Sequence, residues 1–366
     1  MKVTVVGAGI TGVYLAYILA KNGHEVAVYD ARSTSYSGTS CNPGGINPLH
    51  GPGLPGPMAE FYLSSYQEHL NQSELIANLS GVHFNLKKID RLFLAFSKEE
   101  VTNLKAMQKR YDENKGFCAK WLSPDEVSQQ DSRISERSCG GLFTSGNFTV
   151  DTTAYLNALK KAAIKLGAIF KDKNANQFIV QDQIVTHIVT DEQEIPVSTL
   201  AITNGSWAAN SLRALKFPIN IQAGKGELLL LKFKKKPFSF DITHGLTGLY
   251  QFKESLYWAG GTMSSAEIVA GITEEAKDKI LKNIRNILPN LNDFEVISHE
   301  VGYRPMSPDK LPIVGKLPNY KNVFIGTGGG SKGVLLSCGI GKALTNIIEN
   351  KNRSDLRFLS PNRFAL

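Results

Sequence analysis

The sequence lacks the cysteine patterns that mark metal-binding and disulfide-rich proteins. No C-x-x-C pair and no metal-ligand spacing occurs among its four cysteines, Cys41, Cys118, Cys139 and Cys338. A structural metal is therefore not expected, and free, buried thiols fit a reducing cytoplasm. Low-complexity tracts and clear repeats are also missing, and 42% hydrophobic with 20% charged residues is ordinary for a globular protein. The 366 residues suffice for two lobes with a substantial core.

The run from residue 3 to residue 20 carries no charge, which raises the alternatives of a signal peptide or a membrane span. Three glycines interrupt this run, Lys2 alone precedes it, and it has no small-residue cleavage pattern. These features argue against both alternatives, and we expect no membrane span.

The same run matches a dinucleotide-binding pattern. A short strand, Lys2–Val6, leads into G-A-G-I-T-G at residues 7–12, and helical periodicity continues through Leu19. The glycines of this G-x-G-x-x-G permit a tight turn, approach of the backbone to a pyrophosphate, and close helix–strand packing. A second strand, Glu25–Tyr29, ends at an aspartate placed to accept from a ribose 2′-OH. The candidate contacts to FAD or NAD are Gly7, Gly9, Ile10, Thr11, Gly12, Asp30, Ala31 and Arg32.

Two further glycine-rich segments are typical of loops that line sites. The segment at 37–48 (SGTSCNPGGINP) is too rich in turn residues for a regular element and too long for an idle connection. Near the C-terminus, G-Y-R-P at 302–305 and P-D-K-L-P at 308–312 precede a strand at 323–325. A second loop, G-T-G-G-G-S-K-G at 326–333, then opens a helix. We expect both segments to contact the cofactor.

Strand–helix alternation at both ends, with strand-rich segments between them, predicts an α/β fold with an added antiparallel sheet. We expect two interleaved domains. The cofactor domain would comprise residues 1–60, 140–212 and 300–366, and the substrate domain residues 61–139 and 213–299.

Positive charge is unevenly spread in this chain, whose formal net charge is +8. Seven basic residues and one acid, Glu227, fall between Arg213 and Lys236, and the C-terminal tail adds further basic residues. Such clusters suit RNA or another anionic partner, and they equally suit a solvated surface. Both interpretations stay open.

Together the motifs resemble those of the D-amino-acid-oxidase-type flavoproteins, the family of glycine oxidase, sarcosine oxidase and D-amino acid dehydrogenase. The resemblance rests on five motifs in order along nearly the whole chain: G-x-G-x-x-G, S-G-T-S…G-G-I-N-P, N-G-S-W, G-Y-R-P…L-P-I-V-G and G-G-G-S-K-G-V. It implies FAD bound by a Rossmann-like domain of the glutathione-reductase type. It also implies oxidation of a C–N bond next to a carboxylate, by hydride transfer to flavin N5 and hydrolysis of the imine.

The resemblance further implies site residues. Arg304 matches the arginine that binds the substrate carboxylate, Tyr250 falls where a tyrosine often contacts the substrate, and Lys332 is placed to stabilise the reduced flavin. The alternatives are a structural salt bridge for Arg304, sheet packing for Tyr250 and exposure to solvent for Lys332. The implied flavin contacts are Ser37, Thr39, Ser40, Gly44, Gly45, Ile46, Gly205, Trp207, Gly329, Gly330, Ser331, Lys332, Gly333 and Val334.

Two departures from the family pattern affect the expected chemistry. No cysteine stands at 302–309, where covalently flavinylated sarcosine oxidases carry theirs, so non-covalent FAD is expected. The run GGTMSSA at 260–266 lacks the lysine that sarcosine oxidases use to activate oxygen, so oxidase and dehydrogenase activities both stay open. The histidines are scattered, and none is evident as a catalytic base.

Two other functions stay open. G-S-K-G-V at 330–334 and S-P-N-R-F at 360–364 resemble segments of the oxidoreductase domain that removes carboxymethyl from a modified wobble uridine in bacterial tRNA. The methyltransferase half usually fused to that domain is not in this sequence. Alternatively, the chain is the flavin subunit of a larger amine dehydrogenase complex.

Overall fold

The structure, a computed structural model, describes residues 1–31, 37–191, 193–217, 219–234, 238–265, 268 and 271–365. The helices are α1 (Ile10–Lys21), α2 (Met58–Ser80), α3 (Lys98–Asp112), α4 (Pro124–Gln130), α5 (Thr152–Lys165), α6 (Ala208–Ala214), α7 (Glu274–Ile287) and α8 (Gly333–Ile348). The first strands are β1 (Lys2–Val6), β2 (Glu25–Tyr29), β3 (Gly45–Ile46), β4 (Lys87–Lys88), β5 (Asp90–Ala95), β6 (Cys118–Leu122), β7 (Gly140–Ser145), β8 (Phe148–Thr149), β9 (Ile169–Lys171), β10 (Gln177–Gln181) and β11 (Ile184–Val189). They are followed by β12 (Glu194–Pro196), β13 (Thr199–Ile202), β14 (Gln222–Phe233), β15 (Phe240–His244), β16 (Thr247–Lys253), β17 (Leu256–Gly260), β18 (Ser264–Ser265), β19 (Phe294–Met306), β20 (Ile313–Lys316) and β21 (Val323–Thr327).

A six-stranded sheet in the order β20–β21–β13–β1–β2–β9 forms the first half of the molecule. Its neighbours pair in parallel except β20, which is antiparallel to β21. Val3 and Val5 of the central strand β1 pack into a core with α1, α2, α5 and α8. Val6 faces the opposite core, which α6 and the small sheet β10–β11–β12 cover. Burial of both faces explains why three of the five residues of β1 are valine.

A nine-stranded sheet forms the second half, in the order β18–β14–β17–β16–β15–β5–β7–β6, with β19 paired along β14. It is antiparallel except where β15 pairs in parallel with β5. Helix α7 packs on this sheet through Ile280 and Ile284. A mixed α/β fold with an added, largely antiparallel sheet is thereby confirmed.

Strand β19 connects the two halves. Tyr303, near its end, bridges to Ser37 and accepts a 3.1 Å hydrogen bond at its carbonyl oxygen from Ser206 Oγ. Arg304, the next residue, therefore lies where the two sheets meet. The sequence pattern does not predict this strand, because glycine, arginine and proline occupy its last residues.

The proposed domain boundaries stay a prediction. Two elements pack away from the domain to which the boundaries assign them. Helix α2 places Phe61 and Tyr62 in the core of the first sheet, and β7 pairs with β5 and β6 in the second sheet.

Two sequence expectations need correction. The four cysteines are unpaired, as expected, but Cys118 and Cys139 are exposed rather than buried, since one begins the edge strand β6 and the other lies in the irregular segment directly before β7. The basic run between residues 213 and 236 is not one surface. Lys225 is buried inside β14, with its Nζ 2.7 Å from Glu227 Oε1. In the described part of the chain, no helix has the length and apolarity needed to cross a membrane.

Candidate active site

Two adjoining cavities lie at the junction of the two sheets, with volumes of about 340 and 370 Å³. Gly38 lines both of them. The first cavity follows the carboxyl ends of β1, β2, β13 and β21, the edge at which parallel sheets bind ligands. The second lies against the nine-stranded sheet.

The glycines after β1 shape one wall of the first cavity. Gly7 has a φ of +108°, and a Cβ there would lie 2.5 Å from Asn204 Cα. A Cβ on Gly12 would overlap the carbonyl oxygen of Gly7. Gly9, Ile10 and Thr11 line the cavity, and no side chain caps α1 at Gly9. Apart from the N–H of Ile10, which donates to Thr39, N–H groups of the first helical turn remain for an anionic ligand.

Asp30 lies at the end of β2 in the same cavity. Its Oδ2 accepts a 2.6 Å hydrogen bond from the backbone N of Ala8, which fixes the carboxylate against the glycine turn. Burial raises the pKa of Asp30, and the Ala8 hydrogen bond opposes that shift. Ala31 lines the cavity as well, while Arg32 lies outside the described residues.

The loop after β2 closes over the helix start. Thr39 Oγ1 accepts a 3.2 Å hydrogen bond from the N of Ile10, and the Ser37 and Ser40 hydroxyls lie 3.0 Å apart. These three loop residues line the first cavity, together with Gly205, Trp207, Gly329, Gly330, Gly333 and Val334.

Three expected contacts lie behind the cavity walls. Gly12, Gly44 and Ile46 line neither cavity. Gly12 is closed in by Gly7, a Cβ on Gly44 would overlap the Val150 carbonyl oxygen, and Ile46 is buried in the core. Their positions suit packing of the walls rather than direct contact. Gly45, Ser331 and Lys332 line the second cavity instead of the first.

Arg304 lines the second cavity and has no acidic partner among the described residues. Its Nη1 donates to the carbonyl oxygen of Thr262 at 3.0 Å. It reaches across Gly226 of the neighbouring strand, where a Cβ would lie 2.5 Å from Arg304 Cζ. Burial lowers the pKa of this guanidinium, which nevertheless stays protonated at neutral pH. The arrangement does not match the alternative of a structural salt bridge.

Tyr250 and Arg91 occupy the floor of the second cavity. The Arg91 guanidinium lies over the Tyr250 ring, with 5.2 Å from Cζ to the ring centroid. Arg91 Nη2 donates to Asp241 Oδ2 at 2.8 Å, and both side chains of this pair are buried. The Tyr250 hydroxyl has no hydrogen-bond partner within the described part of the chain, so it is available to a ligand.

Lys332 and His50 line the side of the second cavity next to the glycine-rich loop. Desolvation, and then the nearby Arg91, lower the pKa of Lys332 to about 7. Desolvation, followed by Lys332 and Arg91, lowers the pKa of His50 to about 3, so its ring is neutral at pH 7. Lys332 Cε would lie 3.0 Å from a Cβ on Gly51, so its side chain packs inward rather than into bulk solvent.

Three more ionisable groups complete this cavity. His244 Nε2 lies 2.9 Å from Glu100 Oε1, and the backbone N of Phe96 donates to the other carboxylate oxygen at 2.6 Å. Cys41 lines the cavity beside Gly302, and burial raises its pKa to about 12. Its sulfur is therefore a thiol, not a thiolate, at neutral pH.

Comparison with known proteins gives this site a context. The sequence profile of the family described as "DAO: FAD dependent oxidoreductase" matches residues 2–347. The chain belongs to this family. A D-amino acid dehydrogenase of Vibrio atlanticus (strain LGP32) is 27% identical over 98% of each chain. Glycine oxidase from Geobacillus kaustophilus superposes with a TM-score of 0.92 at 20% identity, covering 99% of this chain and 98% of the other. Iminodiacetate oxidase from Chelativorans sp. BNC1 does so with a TM-score of 0.89 at 20% identity, covering 98% of each.

The first cavity of this FAD-dependent oxidoreductase suits the ADP part of the cofactor. The N–H groups left free at the start of α1, the space beside Gly9 and the Asp30 carboxylate match a pyrophosphate followed by a ribose. The buried Oδ1 of Asn204, which also lines this cavity, lacks a hydrogen-bond partner in the described residues and can accept from a ligand. Since both cavities meet at Gly38, the isoalloxazine ring would lie where they join. The contacts of individual residues with FAD remain predictions.

Sequence reasoning missed several groups of the second cavity. Arg91, His50, the Glu100–His244 pair and Cys41 all line it. One signal was available: Arg91 and Asp241 are charged residues within otherwise apolar strand patterns, and buried charges are normally paired. The scattered histidines carried no comparable signal, because only tertiary structure brings His50 and His244 together.

Proposed function

We propose that this FAD-dependent oxidoreductase oxidises a C–N bond in an amino acid or secondary amine that carries a carboxylate. The observation that supports the proposal most directly is Arg304. Its guanidinium has no acidic partner among the described residues and lines a cavity beside the glycine-rich loop. A guanidinium binds a carboxylate through two parallel hydrogen bonds, which fix the neighbouring α-carbon.

In this arrangement the protein orients the substrate and supplies charge. Arg304 would hold the carboxylate and the Tyr250 hydroxyl would donate to the same end of the substrate. When bound, FAD would supply the acceptor for a hydride, with its electron pair, from the α-carbon. The nitrogen lone pair would form the C=N bond, and hydrolysis by water would give a carbonyl compound and either ammonia or, from a secondary amine, an amine. The amine must bind neutral, and Lys332 has a pKa of about 7, so it suits exchange of a proton there.

We also propose that FAD is bound without a covalent link. Cys41 is the cysteine that lines the second cavity. Because burial raises its pKa to about 12, it is a poor nucleophile toward the flavin ring.

The test is anaerobic reduction of the purified flavoprotein by single compounds. Reduction is measured as the loss of visible flavin absorbance. The panel holds glycine, sarcosine, D-amino acids, iminodiacetate and tRNA with carboxymethylaminomethyl-uridine. The variants are Arg304→Met, which removes the charge, and Arg304→Lys, which keeps the charge without the planar fork. Arg133→Lys is the matched control, because Arg133 lies 3.8 Å over the Phe238 ring and does not line either cavity.

We expect reduction by at least one small carboxylate-bearing amine. Arg304→Met should lower the apparent affinity for it by about 100-fold or more, with Arg304→Lys between Arg304→Met and wild type. Equal affinity in Arg304→Met and wild type would contradict the assigned role of Arg304. Re-oxidation by air then separates an oxidase from a dehydrogenase that needs another electron acceptor.

The two alternatives are outcomes of the same experiment. Reduction by the modified tRNA alone would favour the wobble-uridine function, which the relatives reported above do not support. Reduction by none of the compounds would favour a flavin subunit that acts within a larger complex. A cytoplasmic location likewise stays a prediction from the unpaired cysteines.

A further inference from the structure

The second cavity contains a guanidinium besides Arg304. Arg91 is only 6% exposed, lines this cavity, and uses Nη2 for Asp241. Its Nε is buried without a partner. Its Nη1 has no hydrogen-bond acceptor in the part of the chain that the structure describes. A buried guanidinium with unused donors is costly unless a ligand supplies acceptors.

The position of Arg91 places these donors beside the cofactor loop and the substrate space. A Cβ on Gly45, in the loop that closes the cavity, would lie 3.3 Å from Arg91 Nη2. The absence of a side chain at residue 45 leaves room for the guanidinium at that point. Burial raises the pKa of Tyr250, whose ring lies beneath Arg91, and the charges of Arg91 and Arg304 oppose that rise. Tyr250 lines the same cavity as both arginines.

The described acidic side chains near this cavity leave Nη1 of Arg91 free. Arg304 and Lys332 have no acidic partners among the described residues, and Asp241 balances Arg91 alone. The carboxylate that does line this cavity, Glu100, already accepts from His244 and from the backbone of Phe96. Glu100 therefore does not compete for the Arg91 donors.

From these observations we infer that Arg91 forms a second carboxylate subsite, so that the substrate is an amine with two carboxylates. The inference rests on the proposed function, in which Arg304 binds the first carboxylate. The second carboxylate belongs either to the side chain, as in D-aspartate and D-glutamate, or to the nitrogen substituent, as in iminodiacetate.

Binding of unreactive acids tests the subsite without turnover. Malonate, succinate and glutarate are titrated into the holoenzyme against propionate, butyrate and valerate, and the perturbation of the flavin spectrum gives each dissociation constant. Wild type should bind the best dicarboxylate roughly 10- to 100-fold more tightly than the monocarboxylate of equal carbon number, because one charge-assisted contact is added. No preference in wild type would overturn the inference while leaving the role of Arg304 intact.

Two variants test whether Arg91 causes the preference for dicarboxylates. The double variant Arg91→Gln/Asp241→Asn removes both charges together, so that no buried charge is left unpaired. Arg91→Lys keeps the charge but loses the second donor direction. Both should lose most of the dicarboxylate preference, with monocarboxylate binding changed less than about threefold. The matched control, Arg133→Gln/Asp131→Asn, alters another Arg–Asp pair that lines neither cavity and should keep the preference.

Two results would overturn the subsite. One is a dicarboxylate preference that survives in Arg91→Lys or in the double variant. The other is an equal loss of affinity for both classes of acid together with an altered flavin spectrum, which would place Arg91 on the cofactor. Turnover with D-glutamate against iminodiacetate then distinguishes the two sources of the second carboxylate.

Discussion

Substitution of Gly226 by alanine tests the role of Arg304 without changing any charge. Gly226 lies on β14, diagonally across from Arg304 on β19. An alanine Cβ would lie 2.5 Å from Arg304 Cζ and closer still to both terminal nitrogens. Non-bonded carbon atoms rest at roughly 3.5–4.0 Å, so the guanidinium must move by about 1 Å or more.

We expect Gly226→Ala to weaken carboxylate binding rather than to lower the stability of the fold. Gly226 does not have a positive φ, and the atoms in conflict belong to the end of a flexible side chain. The free energy of unfolding should change by less than about 1 kcal/mol. A misplacement of about 1 Å in a positioning group costs up to roughly 100-fold. We therefore expect dissociation constants for acetate and for carboxylate substrates to rise about 10- to 100-fold.

The assay compares spectral titrations and melting temperatures of Gly226→Ala, wild type and Gly271→Ala. Gly271 is the matched control, since a Cβ there meets no atom of the described residues within 4 Å. Unchanged carboxylate affinity in Gly226→Ala, with an unchanged melting temperature, would refute the reasoning. Arg304 would then either not bind the carboxylate or bind it from a different position.

Three further predictions follow from the same structure. Gly12→Ala should lower the melting temperature, because overlap with the Gly7 backbone costs about 1–3 kcal/mol or more. Gly9→Ala should fold normally, because its Cβ would meet Thr39 Oγ1 at 3.7 Å. This second variant should bind FAD more weakly than wild type in a fluorescence titration. The pKa of Lys332 is lowered to about 7, and the ammonium form is lost above that value. In flavin-free protein at pH 8, Lys332 should therefore be roughly 90% neutral, whereas an ordinary lysine is under about 1% neutral. Brief acylation followed by mass spectrometry should then label Lys332 first, and labelling that lags behind exposed lysines would contradict the shift. Acid precipitation should leave FAD in the supernatant, whereas flavin retained on a peptide with Cys41 would show a covalent link.

The nucleotide half of the site follows closely from the sequence. Strands Lys2–Val6 and Glu25–Tyr29 have the predicted ends, because glycine spacing, apolar runs and the helix between them are local signals. The same signals predict that Asp30 ends the second strand and lies beside the glycine turn. Local geometry dictates these features, so no knowledge of the remaining chain is needed.

The substrate half depends on contacts between distant segments. Arg91 meets Asp241 through the parallel pairing of β5 with β15, and Arg304 crosses Gly226 through the register of β19 on β14. Neither pairing leaves a periodic signal in the sequence. The resemblance to the flavoprotein family supplied Arg304 and Tyr250, and only the three-dimensional arrangement brought Arg91 to the same cavity.

The most direct test of the central claim compares one substrate with its decarboxylated analogue. Wild-type holoenzyme is mixed anaerobically with the best amino acid of the panel, and separately with the amine that lacks only its carboxylate, such as D-alanine and ethylamine. We predict that the amino acid bleaches the flavin at least about 100-fold faster at equal concentration. Equal rates for the two compounds would contradict the account, since Arg304 would then play no part in selecting the substrate.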